Sequence, residues 1–488
     1  MTRTVIVGGS LTGLATALAL GERGHRVTVL ERSAPPPEGP PGKAADGWER
    51  PLVPQSQQSH TLTSLGVKVL AERAPAILAD ALAEGARMHA VGDAAPPSLS
   101  RSPEAANDPE LRALAVRRAT LELLLHAAVR TMPGVSLRHG TTVRGLVVAP
   151  AGRAVAGVLT DRGERIPAET VVDATGRRAE HRRWLEAAGL PSATDLTGPT
   201  ALRVFSRFYR LRDATAPAPG PLNRGNAAGG IWDHYAAVLH PAEDGVFALS
   251  FGVLPGDPAT TALRDAGAFT AAARLSPYVA PWLEPGASEP LAPVRVMTVP
   301  PNLLRGTVTA RQRPVHGLFP VGDAACVTDP IFGRGMSLAF AHAFRLADLL
   351  DAEPRPGDAQ SAGAVGLVDE LLRPWFVHDS GEGVVRRVRW RAATRGAEAP
   401  APTPVPLAAP AGRGRPALSE VAAAATTDGL VWRGLHRVLM SLDPPGTVFD
   451  DPVFRERVRT APPARPTPGV RPPSRAELLE ALNAGKGA

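Results

Sequence analysis

The stretch TVIVGGSLTGLATALAL, residues 4–20, constrains the fold more than any other part of this 488-residue chain. Residues 4–7 are a short run rich in β-branched side chains, suited to a buried strand. A glycine-rich turn follows, then helix-forming residues up to Gly24, then a second strand-like run, HRVTVLER, that closes at Glu31. Strand, turn, helix and strand in this order make the first unit of a parallel, doubly wound sheet. The turn approximates Gly-x-Gly-x-x-Gly, with Gly8 and Gly13 in place and Ser10 at the middle glycine. In that pattern the first glycine permits the tight turn, the second lets backbone approach a pyrophosphate, and the third lets helix pack on strand. Ser10 costs some clearance, but its hydroxyl can donate to a phosphate oxygen. Glu31, 18 residues beyond Gly13, stands where a carboxylate accepts ribose hydroxyls, and Arg32 follows it. The unit reads as a dinucleotide site. The alternative is a strand–helix unit that binds nothing.

Charge and cysteine content narrow the function classes. The formal net charge is +7, yet Lys43, Lys68 and Lys486 are the only lysines among 54 basic residues, and the arginines are spread along the chain. The densest cluster, RRVRWR at 386–391, reads as a solvated helix face, with no zinc-finger, RNA-recognition or helix-turn-helix pattern around it. No nucleic-acid partner is expected. Cys326 is the single cysteine, which excludes an intrachain disulfide and a thiolate metal cluster, and no metal site is expected. The N-terminus lacks the leader pattern of a signal peptide, and no apolar run approaches the ~20 residues of a membrane span. A soluble, cytoplasmic protein is expected.

Beyond residue 31 the pattern continues as α/β. Residues 34–56 and 93–110 read as loops, 62–85 and 117–130 as helical, and 135–176 as a strand meander ending in the buried strand VVDATG. Residues 200–300 mix strand-like runs such as GVFALSFGVL with proline-rich connections, as in a second sheet. GLFPVGDAA is another buried strand, and 335–350 a helix. The expected organisation is a discontinuous nucleotide-binding domain (1–199 and 300–355) and a mixed-sheet substrate domain (200–299), with 76–105 as a further candidate segment of it. A helical C-terminal region (356–488) completes the chain, carrying a proline-rich linker at 397–415.

Two distant segments sharpen the chemistry. One strand ends in Asp173-Ala174-Thr175-Gly176-Arg177, and LFPVGDAACVTDPIFGRGMSLAF (318–340) carries Gly322-Asp323 followed by a glycine-punctuated helix entry. With the opening turn, these motifs give residues 1–350 a resemblance to FAD-dependent monooxygenases with a glutathione-reductase-type FAD domain. VPQSQQSHTLTSLG (53–66), RATLELLLHAAVR (118–130) and DPIFGRGMS (329–337) are most similar to flavin epoxidases of polyether-antibiotic biosynthesis, distant relatives of squalene epoxidases. Asp329 and Phe332 stand where those proteins have Asn and Tyr, and His60 stands for a histidine pair.

The resemblance implies FAD as the bound dinucleotide, with Gly8, Ser10, Gly13, Glu31 and Arg32 at its ADP half. Arg50, Arg118, Asp173 and Gly176 would lie near the nucleotide, and Gly322-Asp323 at the ribityl chain. Gly333, Gly335 and Met336 would position the flavin ring, the helix amides there stabilising negative charge. His60 is a candidate to face flavin or substrate, Asp329 a helix-entry cap. The implied reaction inserts one atom of O2, through a flavin hydroperoxide, into a bulky apolar, polyketide-like molecule by epoxidation or hydroxylation. Electrons would come from NAD(P)H directly or through a separate flavin reductase. Trp232, Tyr235, Phe247, Phe251 and Tyr278 are candidates to line the substrate cavity. A flavin dehydrogenase or oxidase, a halogenase on the same scaffold, and a non-catalytic flavin-fold protein are the alternatives.

Overall fold

A strand that is buried along residues 4–7 opens the chain, and the rest of the first domain assembles to cover its two faces. The computed structural model describes residues 2–99, 107–150, 154–310, 315–397, 415–463 and 471–487. Along the chain the elements that place the site are β1 (Arg3–Val7), α1 (Leu11–Gly21), β2 (Arg26–Leu30), α2 (Arg118–Thr131), β3 (Val135–Arg138) and β4 (Thr170–Asp173). They continue with β5 (Arg203–Leu211), β6 (Ala228–Ile231), β7 (Tyr235–Pro241), β8 (Val246–Val253), β9 (Leu318–Pro320), α3 (Gly335–Ala352) and α4 (Arg373–Thr394).

The first sheet is parallel, in the order β9-β4-β1-β2-β3. Alternate residues face opposite sides of a strand, so both sides need cover. Ile6, Val29, Val172 and Phe319 join one core with α1, α2 and α3. Val5, Val7, Val171 and Leu318 join another, closed by the antiparallel strands Val143–Val148, Val155–Thr160 and Arg165–Pro167. Helix α1 is buried nearly all round, as a helix packed between a sheet and two others must be. The α/β expectation holds.

The second sheet is antiparallel, in the order β6-β7-β8-β5, with Ser288–Pro290 and Arg295–Thr298 both pairing with β5. Its two faces differ. Phe205, Tyr209, Tyr235, Phe247 and Phe251 form a core with helix Ala266–Ala273 on one side. The opposite face turns smaller residues toward the first domain. Within the candidate segment 76–105, Ile77, Ala81, Val91 and Leu99 pack in the first core, while Arg87 donates to the Ala214 carbonyl at 3.1 Å beside the second sheet.

The tail divides between the two cores. Helices Leu418–Ala424 and Gly429–Leu439 contribute Val421, Val431 and Trp432 to the first, while Arg475–Ala484 returns Leu478 and Leu482 to the second. The proline-rich linker expected at 397–415 lies outside the described residues except for its two end positions. RRVRWR is solvated on one side only: Val388 and Arg391 are exposed, while Arg386 and Trp390 are buried on the inner side of α4. Among the described residues no helix is long and apolar enough to cross a membrane.

Candidate active site

A cavity of about 2130 Å³ runs from the carboxyl ends of β1, β2 and β4 to the smaller-residue face of the second sheet. That exceeds the roughly 300–1,000 Å³ of a single small-molecule site and leaves room for a dinucleotide and a second molecule. Gly8, Ser10, Glu31, Arg32, Arg50, Arg118, Gly176, Asp323, Gly333, Gly335, Met336 and His60, from every motif singled out in the sequence, border it.

At the first turn, Gly8 has φ +109°, and an added Cβ there would lie 2.5 Å from the Ala174 carbonyl oxygen. Gly13 faces the protein instead: a Cβ would lie 1.9 Å from the Gly8 oxygen, so its absence lets α1 seat against the turn. Glu31 is fixed by backbone, its Oε2 accepting from Gly9 N–H at 2.7 Å and its Oε1 from Ser33 N–H at 2.8 Å. Each oxygen keeps a further lone pair for a ribose hydroxyl.

Ser10 departs from expectation. Its hydroxyl donates to Glu122 Oε2 at 2.9 Å and accepts from Arg118 Nη2 at 3.2 Å, so its proton is committed within the protein. Glu122, 2% exposed, also pairs with Arg50, whose guanidinium lies 4.4 Å from the Trp48 ring centre. The sequence reading missed Glu122. Its signal was position: four residues after Arg118 on α2, it shares that residue's face. Arg118 Nε is buried without a hydrogen bond, 3.7 Å from Glu122 Oε2, and burial lowers the Arg118 pKa against the pull of Glu122 and Asp323.

Asp173 is corrected from cofactor ligand to loop anchor. Its Oδ1 accepts from the backbone and hydroxyl of Thr175, and its Oδ2 from the backbone and Nδ1 of His181, with the side chain fully buried. It shapes the turn that carries Gly176. Gly322 is likewise internal, since a Cβ would meet Thr12 at 2.7 Å. Asp323 is the opposite case. It borders the cavity, no hydrogen bond reaches its carboxylate among the described residues, and burial raises its pKa against the pull of Arg177, Arg118 and Arg305.

Helix α3 opens on the cavity at Gly335 and Met336, where a Cβ on Gly335 would meet nothing within 4 Å. Asp329 caps the preceding turn by accepting from Ile331 N–H at 3.1 Å. Behind this segment lies a buried charge cluster. Asp329 pairs with Arg386 of α4, Arg334 lies 3.5 Å from Asp379, and the Arg334 guanidinium sits 4.6 and 4.4 Å from the Phe332 and Trp375 ring centres. Burial pushes Asp379 up to about 7.

On the second sheet, strand alternation decides which side chains reach the cavity. Val204, Ala236, Val238, His240, Ser250 and Gly252 do. Tyr235, Phe247 and Phe251 lie on the opposite face in the second core, and Tyr278 packs at its edge, so these four candidates do not line the cavity. Trp232 does. The sequence reading also missed the tail, which supplies Glu382, Val385, Trp390, Leu435 and His436 to the wall. His60 donates from Nδ1 to the Gln58 carbonyl at 2.9 Å, and burial with Arg118 nearby holds its pKa down to about 3, so the imidazole is neutral near pH 7.

The profile of the FAD dependent oxidoreductase family (DAO) matches residues 3–93, the span holding the first turn, Glu31, Arg50 and His60. The chain carries an FAD-dependent oxidoreductase domain. Protein Rv3254 of Mycobacterium tuberculosis is 26% identical over 71% of this chain and 73% of its own length. Kynurenine 3-monooxygenase of Salinispora tropica is 24% identical over 74% and 75%. The crystal structure of pqsL, a probable FAD-dependent monooxygenase from Pseudomonas aeruginosa, superposes with TM-score 0.58 at 18% identity, covering 81% of this chain and all of that one.

The donor set fits FAD: an acidic ribose acceptor, a fixed arginine on the cavity wall, a carboxylate at Asp323 that no hydrogen bond reaches among the described residues, and open backbone at Gly176 and Gly335. Asp323→Ala is expected to weaken FAD binding by about 10–100-fold, the worth of a hydrogen bond to a charged group. Titration of apoprotein with FAD, followed by flavin fluorescence, measures this.

Proposed function

We propose that the chain is a monooxygenase that inserts one oxygen atom from O2 into an apolar, polyketide-like small molecule. FAD when bound would supply electron transfer and oxygen activation. The observation that carries the reading is the continuity of the cavity: the groups suited to FAD and the apolar wall of Val204, Ala236, Val238 and Trp232 border one space. The residues' own tasks follow from that arrangement. Glu31, Arg118 and Asp323 would hold the cofactor. The amides opening α3 would stabilise negative charge at the ring, and the aliphatic wall would orient substrate and exclude water.

Epoxidation of an olefin needs no protein base, and the imidazoles of His60, His240 and His436, held down to about 3, 4 and 4, are weak ones. Epoxidation is therefore the first reading. Hydroxylation of an acidic ring is the second, favoured by Glu382 on the cavity wall, which burial pushes up to about 7. All three lysines are exposed and none borders the cavity, which argues against a halogenase that captures hypohalous acid on lysine.

The test adds NADPH to the oxidised, FAD-loaded protein, with and without a separate flavin reductase, and follows flavin bleaching under nitrogen and 18O incorporation under labelled oxygen. One labelled oxygen atom in the product is expected. Turnover with an artificial acceptor under nitrogen, with no labelled product in air, would make the enzyme a dehydrogenase instead.

A further inference from the structure

Arg224 borders the cavity from the loop leading into β6, and among the described residues its guanidinium makes no hydrogen bond or ion pair. Burial lowers its pKa, and no carboxylate offsets that effect. Half-buried on the cavity wall, with no carboxylate beside it, the guanidinium has donors available to an anion that enters the cavity.

The loop around it is fixed on both sides. Asn223 donates from Nδ2 to the Gly229 carbonyl at 3.0 Å and accepts from Gly229 N–H at 2.9 Å. Asn226 donates to the Thr61 hydroxyl at 2.8 Å. Between them the Arg224 N–H donates to the Ala227 carbonyl at 3.0 Å. The guanidinium is thus presented from a tied turn, the kind of preorganisation that reduces the entropy lost on binding.

Two imidazoles stand near it, and Arg224 contributes to lowering both. His240, hydrogen-bonded at Nδ1 to Ser59 at 2.8 Å, is held down to about 4 mainly by burial. His436, which donates from Nδ1 to the Trp432 carbonyl at 2.8 Å and stacks on that indole at 4.1 Å, is held to about 4 in the same way. Both are neutral near pH 7, so neither adds a positive charge beside the Arg224 guanidinium. The surrounding wall is apolar, with Val238, Leu435 and Leu439.

We propose that Arg224 receives a carboxylate of the substrate, and that the substrate is an amphiphilic acid whose apolar body fills the cavity. This rests on the reading of the cavity as a substrate site and refines its chemical class from apolar molecule to apolar acid.

The FAD-loaded full chain is titrated with 4-phenylbutyrate and with its neutral counterpart 4-phenylbutyramide, following tryptophan fluorescence. The acid is expected to bind about tenfold tighter or more, the worth of one charge-assisted hydrogen bond. Arg224→Gln should abolish the preference by weakening the acid and leaving the amide unchanged, and Arg224→Lys should keep part of it. Equal affinities in the wild type overturn the proposal, as does a preference that survives Arg224→Gln. Weakened NADPH binding in Arg224→Gln with the acid preference intact also overturns it, since the guanidinium then serves a phosphate. Should that variant fail to fold, the two wild-type affinities decide alone. Because the titration involves no turnover, its failure is separate from a failure of oxygen insertion in the labelling experiment.

Discussion

Gly13→Ala is expected to yield a protein that purifies without flavin and is destabilised by about 3 kcal/mol or more, the upper range for forced overpacking. The added methyl would lie 1.9 Å from the Gly8 oxygen and 3.3 Å from the Ala174 Cβ. Neither neighbour is the free end of a flexible side chain. The Gly8 carbonyl belongs to the turn itself, and Ala174 follows the interior strand β4. Relief must come from moving α1 off the sheet, which also withdraws its N-terminal amides from the phosphate position. The informative control is Gly335→Ala. Its methyl meets nothing within 4 Å, so the apoprotein should unfold at the wild-type denaturant midpoint. With FAD lying against that backbone, its affinity should fall about tenfold or more. Wild-type FAD affinity in Gly335→Ala would remove the assignment of α3's opening to the flavin.

The contrast between these two glycines shows what was legible in the sequence. Spacing identified the turn and the acidic residue after β2, because backbone geometry at a strand–helix junction depends on residues close together in the chain; the Gly-Asp segment was assigned by the family resemblance. The structure brings these motifs to one cavity, as their order along 1–350 implied. Asp173 was placed near the nucleotide by the resemblance, and only the tertiary position of His181 and Thr175 commits both its oxygens. Ser10 was read with its hydroxyl free, whereas Glu122, over a hundred residues away, takes the proton. Four of the five aromatic candidates, all but Trp232, failed at one specific point. The runs in β7 and β8 read as strands, but which face meets a helix and which meets a cavity is fixed by helix Ala266–Ala273, whose docking leaves no trace in the strands' own residues. The tail was opaque because its contributions to the wall come from single faces of α4 and Gly429–Leu439. Trp390 and Arg386 read as members of a basic run until their inner face is known.

Asp329→Ala is expected to cost about 3–5 kcal/mol, because it strands the Arg386 guanidinium where a counter-charge was provided. The ion pair is buried on both sides, the carboxylate fully so. Two further interactions end with the same substitution. The turn loses the cap on Ile331 N–H, and Arg334, already without hydrogen-bond partners for its guanidinium nitrogens, loses one of two nearby carboxylates. Asp329→Asn separates these effects, since its amide oxygen still caps the turn while the charge is gone. It should recover the capping part, about 1 kcal/mol. Arg386→Met combined with Asp329→Asn should recover more, since it removes the orphaned charge and keeps a side chain of similar length against Trp390. The readouts are urea unfolding of the apoprotein and FAD affinity in parallel. If the cluster holds the 329–336 segment in place for the cofactor, the two quantities fall together in Asp329→Ala and rise together in the double variant. A double variant that regains stability without regaining FAD affinity would show that the charges act on the cofactor's field, and that the helix entry keeps its position without them.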